Sequence, residues 1–421
     1  MKEKEVMEIA PAKLQGKVKI PPSKSVAHRM IICASLADGK SVISNISFSD
    51  DIKATVECMR ALGATIEEKN GSLEITGCVA TIDGKLKFDC NESGSTLRFM
   101  LPIALARNLG DNIFVGRGKL GTRPLDIYEN ICKEQDIFYI NDSANNADNF
   151  LDLKVKGKLR SGIYKVKGNV SSQFITGLMF ALPLLEGESE IVVEDELQSR
   201  SYLDLTLSAL DKFGITIVNE NYQRFVIKGN QKYQAGNHTV EGDWSQAAFY
   251  EVANYLGNDV EMLGLDYGSE QGDRAIVDFI KSLKEADDEQ TLVFDGSNCP
   301  DIIPELALAC CLRKGRSEIV NISRLRIKEC DRLSATVNEL KKLGADIQAK
   351  PDAMTINGVS ELRGGEVETY NDHRMAMTLS IAATRTDGKI CFSNYRCVSK
   401  SYPDFFEDYN ALGGKAKVVN K

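Results

Sequence analysis

The chain has 421 residues, of which 43% are apolar and 27% are charged, a composition typical of a globular protein with about two domains. Its formal net charge of −8 argues against nucleic acid as the main partner, because a phosphate backbone is bound by a basic face. No run of 18 or more apolar residues occurs, so no membrane span is expected, and the charged N-terminal sequence lacks the apolar centre of a signal peptide.

The eleven cysteines show no Cys-x-x-Cys pair and no regular spacing, and several lie within apolar stretches, such as Cys33, Cys310 and Cys311. We therefore expect reduced thiols in a cytoplasmic protein. The three histidines lie far apart in the sequence, which argues against a zinc site.

Six stretches begin with a polar cluster, continue with apolar or small residues and end near a glycine, and each is predicted to be a helix. They recur at a spacing of roughly 70 residues, with one interval nearer 55. A helix N-terminus exposes unpaired N–H groups and the positive end of the helix dipole, so it suits an anion. The clusters are Ser23-Lys24-Ser25, Ser93-Gly94-Ser95, Ser171-Ser172-Gln173, Asp243-Trp244-Ser245, Pro300-Asp301 and Asn371-Asp372-His373-Arg374.

A second helix is predicted after each of these stretches. Apolar residues at helical spacing precede Gly63, Gly214, Gly344 and Gly413, whereas the copies near 124–140 and 273–283 are weaker. Short β-branched segments then follow, as at 72–77 and 224–229, and are predicted to form hairpin strands.

The repeated unit is therefore strand, helix, strand, helix, strand, strand, which predicts an α/β fold with three units in each of two domains. The chain is expected to cross between domains near Ile20-Pro21-Pro22 and Val240-Glu241-Gly242. One domain would span residues 22–241. The other would be discontinuous, with residues 1–21 and 242–421, if the N-terminal strand completes the last unit.

Basic and hydroxyl side chains accompany the helix starts in the first half of the chain. Lys24 and Arg29 flank a serine-capped start, and Gly94 would let a ligand approach the backbone closely. The Gly-rich basic segment 116–124 could be a mobile lid that carries Arg123, and Ser171-Ser172-Gln173 suits a phosphate cradle. The ordinary alternatives are capped helices with solvated charges and a flexible surface loop.

The second half carries three more clusters. Lys328-Glu329-Cys330-Asp331-Arg332 is predicted to open a helix with Lys328 and Arg332 one turn apart on the same face, although an exposed set of salt bridges remains the alternative. Asp372-His373-Arg374 places an acid, an imidazole and a guanidinium together, and Lys400 lies in a loop before a helix. Because all these clusters occupy corresponding points of one unit, those of each domain should converge at one end. The two sets would then face each other across a cleft and hold a highly charged phosphorylated substrate.

These residues resemble the 5-enolpyruvylshikimate-3-phosphate synthase family, in order and over essentially the whole chain. The resemblance implies two inside-out α/β domains, each of three βαβαββ units, with the active site in the interdomain cleft. It implies transfer of the enolpyruvyl group of phosphoenolpyruvate to the 5-hydroxyl of shikimate 3-phosphate, with release of phosphate. The reaction would proceed by addition and elimination through a tetrahedral intermediate, without metal or cofactor, in chorismate and aromatic amino acid biosynthesis. The matching segments are Pro22-Ser23-Lys24-Ser25 with Arg29, Ser93-Gly94-Ser95 with Arg98, Gly121-Thr122-Arg123-Pro124, Ser171-Ser172-Gln173, Ser199 with Tyr202, Pro300-Asp301, Lys328-Glu329-Cys330-Asp331-Arg332, Asn371 to Met377, and Lys400-Ser401-Tyr402-Pro403-Asp404.

The resemblance also assigns roles to individual residues, and a dry site for two anionic substrates does need matching cations. Shikimate 3-phosphate is expected to contact, mostly through its phosphate, Ser171, Ser172, Ser199 and Lys328, and through its ring and hydroxyls Ser25, Arg29, Gln173, Tyr202 and Asp301. Phosphoenolpyruvate is expected to contact Lys24, Gly94, Arg123, Gln173, Arg332, Arg374 and Lys400. Asp301 would accept the 5-hydroxyl proton, and the proton transfers at the enol methylene fall to Glu329, Lys24 or His373.

The chain departs from the family pattern at three positions. Glu92 follows Asn91 where an Asn is usual, Phe99 stands where many members have Pro, and Arg324 stands where an Asn often helps to bind the substrate phosphate. The differences bear on the shape around Gly94 and so on the response to glyphosate, the family's known inhibitor. Gly94 itself favours sensitivity.

Two other functions are weighed against this one. UDP-N-acetylglucosamine enolpyruvyl transferase shares the fold and the donor, but that family has a Cys where Gly118 stands here and an Asn where Ser25 stands. A non-catalytic phosphometabolite-binding protein would keep the cations but need not keep Asp301 and Glu329. The expected partners are the two small-molecule substrates, with no nucleic acid and no membrane, and a monomer is the default expectation.

Overall fold

The structure, a computed structural model, describes residues 5–145, 150–168 and 170–420, and residues 1–4 of the predicted discontinuous domain lie outside the described residues. The described residues form the α-helices α1 (Lys24–Leu36), α2 (Asp50–Ala61), α3 (Gly94–Arg107), α4 (Asp126–Glu134), α5 (Ser172–Ala181), α6 (Arg200–Lys212), α7 (Trp244–Tyr255), α8 (Ala275–Glu285), α9 (Ile303–Cys311), α10 (Arg332–Lys342), α11 (His373–Ala382) and α12 (Phe405–Ala411).

The strands within the same ranges are β1 (Glu5–Ala10), β2 (Gln15–Lys19), β3 (Lys40–Ser44), β4 (Thr65–Lys69), β5 (Ser72–Thr76), β6 (Leu86–Asp89), β7 (Asp111–Gly116), β8 (Phe138–Asn141), β9 (Leu151–Lys156), β10 (Ile163–Lys167), β11 (Ser189–Glu194), β12 (Ile217–Glu220), β13 (Arg224–Ile227), β14 (Asn237–Thr239), β15 (Asp259–Leu263), β16 (Leu292–Asp295), β17 (Arg316–Val320), β18 (Asp346–Lys350), β19 (Ala353–Asn357), β20 (Gly365–Glu366), β21 (Ile390–Phe392) and β22 (Lys415–Asn420).

The chain divides into two compact units, Pro22–Glu241 and Met1–Pro21 with Gly242–Lys421. Each unit has a hydrophobic core of its own. In the first unit, α1, α3 and α5 are buried on nearly all sides, whereas α2 and α6 bury one face. The second unit repeats this with α7, α9 and α11 inside. Helices that are apolar on all sides must lie in a core, so the sheets pack around them on the outside.

Five of the sheets in the described residues share one strand order. In each, two parallel strands are followed by two antiparallel strands, which is the order that a βαβαββ unit produces. The N-terminal strand β1 lies between β21 and β22, with Met7 opposite both Phe392 and Val418. The orders are β14-β3-β5-β4, β6-β7-β9-β8, β10-β11-β13-β12, β16-β17-β19-β18 and β20-β21-β1-β22.

The unit that contains β2 and β15 is shorter than the other five. Its sheet has two parallel strands, and after α8 the chain reaches β16 within residues 286–291, which are too few for a hairpin. The expectation of a complete βαβαββ set in every unit therefore fails here. The missing hairpin explains why one interval between repeats in the sequence is only about 55 residues.

Polar caps and glycine stops set the helix ends as the sequence predicts. The side chains of Ser23, Ser93, Ser171, Asp243 and Asp372 each accept a hydrogen bond from an N–H of the helix that follows. The second helices end at the predicted glycines Gly63, Gly214, Gly344 and Gly413, which all have positive φ. Across the described ranges, each helix falls short of the length or the hydropathy that a membrane span requires.

Candidate functional site

In the unit Pro22–Glu241, the first turn of α1 is tied to α2. The ammonium of Lys24 lies 2.8 Å from the carboxylate of Asp51, and both side chains are largely buried. The hydroxyl of Thr96, in the first turn of α3, donates to the backbone oxygen of Asp51 at 3.4 Å. Asp51 therefore fixes Lys24 and connects the starts of two inner helices.

A second network joins the starts of α3 and α5. Gln173 donates to the hydroxyl of Ser95 at 2.9 Å and accepts from the buried guanidinium of Arg98 at 2.7 Å. A Cβ at Gly94 would collide with the guanidinium of Arg123, whose loop also accepts a hydrogen bond from Arg98 at the Pro124 carbonyl. The predicted residues Gly94, Arg123 and Gln173 are thus brought together.

Arg29 joins α1 to α6. Its guanidinium is buried and donates to the carbonyl oxygens of Ser25 and Tyr202, at 2.7 and 2.9 Å, and to the hydroxyl of Thr206 at 2.9 Å. Burial lowers the pKa of Arg29 to about 10. The structure thus places Arg29 where it holds Ser25 and Tyr202 rather than where its side chain is open to solvent.

Three predicted serines lie at the starts of α5 and α6. Ser171 caps α5, Ser172 is its first residue, and Ser199 precedes α6, and all three are buried. Ser199 has a φ of 59°, a left-handed conformation that a non-glycine residue adopts at a cost. Such strain is often found at functional sites.

The three departures from the family pattern each lie near a predicted site residue of the same unit. Glu92 packs over segment 116–124, because a Cβ at Gly118 would lie 2.5 Å from its carboxyl carbon. The buried ring of Phe99 lies 5.5 Å from the guanidinium carbon of Arg29. Arg324, in the other unit, lies close enough to Lys328 for its charge to disfavour a second cation there.

In the unit that contains Gly242–Lys421, Arg332 is surrounded by carboxylates. Its guanidinium is only 1% exposed and donates to Asp372 at 3.0 Å, to Asp301 at 2.9 Å and to Glu329 at 2.6 Å. Lys328 reaches the same oxygen of Asp301 at 3.1 Å. Lys328 and Arg332 therefore form one cluster with Asp301, Glu329 and Asp372.

The prediction that Lys328 and Arg332 share a helix face is wrong. Asp331 caps α10 with its side chain, so the helix begins at Arg332 and Lys328 lies in the preceding segment. The two cations instead meet at Asp301, which lies in the turn Pro300–Ile302 just before α9. A sequence that reads Lys-x-x-x-Arg does not distinguish a helical turn from a capped start.

The cations around Asp301 favour its ionised form. Burial opposes its ionisation, but Lys328, Arg332 and Arg374 outweigh burial and hold the pKa of Asp301 well below the ordinary 3.8. Burial also lowers the pKa of Lys328, although Asp301 opposes this. Asp301 is therefore an ionised acceptor between two donors.

Arg374 lies in a second buried group. It donates to the carbonyl and the hydroxyl oxygens of Ser245, both at 2.5 Å, and lies 3.4 Å from the carboxyl of Glu305. Lys400 donates to the carbonyl of Asn371 at 2.8 Å, immediately before the start of α11. His373 is buried in the first turn of that helix, with Nδ1 3.7 Å from Asp372.

Sequence reasoning missed the partners that hold these groups. Asp51, Arg98 and Glu305 fix predicted residues, but none of the three was assigned a role from the sequence. Asp372 was predicted only as an acid, but it caps α11 and also pairs with Arg332. In the described residues, no group of three His, Cys, Asp or Glu side chains is arranged to hold a metal ion.

The loop before α11 depends on a buried acid, Glu339 of α10. Its oxygens accept from the hydroxyl of Tyr370 at 2.7 Å, from the N–H of Glu368 at 2.9 Å and from Lys342 at 2.8 Å. Tyr370 and Asn371 both have positive φ, so this loop needs an external support.

We expect Glu339→Gln to destabilise the protein by about 2 kcal/mol, because charge-assisted hydrogen bonds to a buried acceptor are lost. Urea unfolding would measure the loss. Tyr370→Phe, which removes one of the same bonds, should cost about 1 kcal/mol, and the double variant should lose less than the sum. Full additivity would contradict a shared support.

The chain is similar to known proteins over nearly its whole length. Residues 9–409 match the sequence profile of the family described as EPSP synthase (3-phosphoshikimate 1-carboxyvinyltransferase). The chain is 51% identical over 420 residues to the 3-phosphoshikimate 1-carboxyvinyltransferase of Clostridium perfringens (strain 13 / Type A), with 96% of this chain and 98% of that protein covered. It is 50% identical over 438 residues to the protein of the same name from Clostridioides difficile (strain 630), with 98% and 99% covered.

The fold is similar to that of solved structures. The EPSP synthase of Acinetobacter baumannii superposes with a TM-score of 0.78 at 24% sequence identity, covering 99% of this chain and 100% of that one. The predicted α/β class, with two domains of the enolpyruvyl transferase type, is confirmed.

Proposed function

We propose that this chain, because it belongs to the EPSP synthase family, transfers the enolpyruvyl group of phosphoenolpyruvate to the 5-hydroxyl of shikimate 3-phosphate and releases phosphate. One observation carries the proposal furthest. Asp301 is held ionised between the cations Lys328 and Arg332, so it can accept a hydroxyl proton in a site for anionic substrates. Residues of both units, 22–241 and 1–21 with 242–421, would bind the substrates.

Asp301 takes the proton of the 5-hydroxyl as that oxygen attacks C2 of phosphoenolpyruvate, while C3 gains a proton. The product of this addition is a tetrahedral intermediate that still carries the phosphate. Loss of a proton from C3 and departure of phosphate then restore the enol double bond. Glu329, at 2.6 Å from Arg332, and Lys24, at 2.8 Å from Asp51, are suited to the proton transfers at C3, with His373 in support.

The cations bind the donor. Its carboxylate and phosphate would contact Arg332 and Arg374, because a guanidinium matches such groups with paired hydrogen bonds. The collision of a Gly94 Cβ with Arg123 shows how closely these two residues approach, so the donor would lie against backbone there. The full set proposed for phosphoenolpyruvate is Lys24, Gly94, Arg123, Gln173, Arg332, Arg374 and Lys400.

Shikimate 3-phosphate has its phosphate near the start of α5, where unpaired N–H groups and hydroxyls suit an anion. The buried cap Ser171 and the first helical residue Ser172 provide the hydroxyls there. Arg29 holds Ser25 and Tyr202 toward the ring by their backbone oxygens. The full set proposed for shikimate 3-phosphate is Ser25, Arg29, Ser171, Ser172, Gln173, Ser199, Tyr202, Asp301 and Lys328.

The test is phosphate release from phosphoenolpyruvate, with and without shikimate 3-phosphate, in the presence of EDTA. We expect release that requires shikimate 3-phosphate and is unaffected by EDTA. Release with UDP-N-acetylglucosamine instead would assign the chain to the sibling transferase. No release with either acceptor would favour a phosphometabolite-binding protein.

Adding a methyl group at Gly94 should weaken donor binding, because the new Cβ displaces the mobile end of Arg123. We expect Gly94→Ala to raise KM for phosphoenolpyruvate by about tenfold and to leave KM for shikimate 3-phosphate nearly unchanged. Gly84→Ala is the matched control, since a Cβ there meets no atom within 4 Å. If both KM values rise together, the glycine serves folding rather than the donor.

The same geometry bears on glyphosate. We propose that the wild-type chain is inhibited in competition with phosphoenolpyruvate, because Gly94 leaves room beside Arg123. Inhibition constants at several phosphoenolpyruvate concentrations would test this. Gly94→Ala should then raise the inhibition constant as well as KM.

We also propose a cytoplasmic location and a monomer. Eleven free cysteines fit a reducing compartment. Fractionation of the source cells and light scattering of the purified protein would test the two statements.

A further inference from the structure

Glu305, on α9, is a buried acid with an unusual position. It is 1% exposed, and its Oε1 lies 3.4 Å from Arg374. Within the described part of the chain, no donor lies within hydrogen-bond distance of its other oxygen, Oε2. An ionised buried carboxylate normally has several donors, so this arrangement suits a carboxyl that is neutral for part of the pH range.

Arg374 is held mainly by neutral groups. Its two short hydrogen bonds, both 2.5 Å, go to the carbonyl and hydroxyl of Ser245, and its guanidinium carbon lies 5.6 Å from the ring centre of Phe249. The contact with Glu305 is the longer one. A neutral Glu305 therefore does little to offset the positive charge of Arg374. An ionised Glu305 offsets that charge strongly, because the site is dry.

The charged groups around this pair come from several helices. Arg374 on α11 and Arg332 on α10 face Glu305. Asp301, Asp243 and Asp273 face Arg374. Burial raises the pKa of Glu305 to about 8, although Arg374 opposes this, and burial together with Asp301 raises the pKa of Asp273 to about 7.

We propose that Glu305 is a positioning residue, outside the substrate contacts, that sets the positive charge which Arg374 offers to phosphoenolpyruvate. The role rests on the proposed function and extends it to a residue that acts through another. While Glu305 is protonated, no negative charge on Glu305 weakens the attraction between Arg374 and phosphoenolpyruvate. When Glu305 loses its proton, it pairs with Arg374 and weakens the hold on the donor.

The direction of the pH effect follows from a raised pKa. Below pH 8, Glu305 is mainly neutral, and above pH 8 it is mainly ionised, so affinity for phosphoenolpyruvate should fall as the pH rises through 8. Glu305→Gln has nearly the same shape but cannot ionise. It should keep tight donor binding at high pH.

The experiment measures KM for phosphoenolpyruvate from pH 6.5 to 9.5, at saturating shikimate 3-phosphate. In the wild type we expect KM to rise about tenfold between pH 7 and pH 9, and in Glu305→Gln about twofold or less. Asp273→Asn should shift only the lower part of the profile. Glu251→Gln is the matched control, because burial also raises the pKa of Glu251 on α7, and Arg374 is not among the groups that shift that pKa.

Parallel profiles in the wild type and Glu305→Gln would overturn the proposal, and so would a loss confined to kcat. If Glu305→Gln fails to fold, Glu305→Met provides a second neutral variant. Calorimetric titration of the wild type with phosphoenolpyruvate, in the presence of an analogue of shikimate 3-phosphate that lacks the 5-hydroxyl, gives the same pH dependence without turnover, and a flat profile there also contradicts the proposal. A wild type with no turnover at any pH would instead contradict the proposed function.

Discussion

Replacement of Asp301 with asparagine is expected to lower kcat by about 10³-fold, because the substituted amide cannot accept the hydroxyl proton. The substitution also removes the negative charge shared by Lys328 and Arg332, at 3.1 and 2.9 Å. Those cations then meet the anionic substrates without a competitor. KM for both substrates should therefore stay level or fall, as steady-state kinetics would show.

The matched control for this variant is Asp295→Asn. Asp295 is exposed, six residues earlier in the same segment, and accepts from Ser297 and Asn321. It should leave kcat within about twofold of the wild type. Survival of turnover within a few fold in Asp301→Asn would show that another group is the base.

Replacement of Arg332 with methionine is expected to destabilise the protein by about 3–5 kcal/mol and to abolish measurable turnover. Arg332 is 1% exposed, and its loss leaves Asp301, Glu329 and Asp372 without their shared cation. Scanning calorimetry should show a Tm about 5 °C lower. Arg316→Met, which removes the exposed pair with Glu318, should cost no more than about 1 kcal/mol.

Acidification should bring the Arg332→Met variant closer to the wild type. In the wild type, the pKa of Asp301 is held below the ordinary 3.8, so its contribution to stability is present above that value and is lost as the pH falls. In the variant, the buried carboxylates lack the cation that stabilised their ionised form, so their protonation restores part of the lost stability. A Tm difference that stays constant from pH 7 to pH 4 would contradict this account.

Helix starts could be predicted from the sequence because the determinants are local. Ser23, Ser93 and Ser171 act as caps, and Gly63 and Gly214 stop second helices with positive φ. The repeat of these signals indicated the α/β class, which the fold confirms. Capping and glycine conformation involve neighbours in the chain, so one sequence is enough to recognise them.

The partners of the functional side chains could not be predicted in the same way. Asp51 lies 27 residues from Lys24, and Glu305 lies 69 residues from Arg374. Which side chains meet across such distances depends on the packing of the inner helices. The prediction for Lys328 was wrong for a related reason. Asp331 caps α10, so the helix begins after Lys328 and not before it.

The position of β1 has a consequence for synthesis on the ribosome. Glu5–Ala10 pairs with Lys415–Asn420, so β1 cannot complete its pairing until β22 has been made. At about 5–20 residues per second, this delay is on the order of 20–80 seconds, whereas the unit Pro22–Glu241 can close as soon as its own residues emerge. We expect nascent chains stopped near residue 280 to protect the core of that unit from protease and to leave β1 open to chaperones. Newly made protein would then aggregate mainly before the second unit has folded.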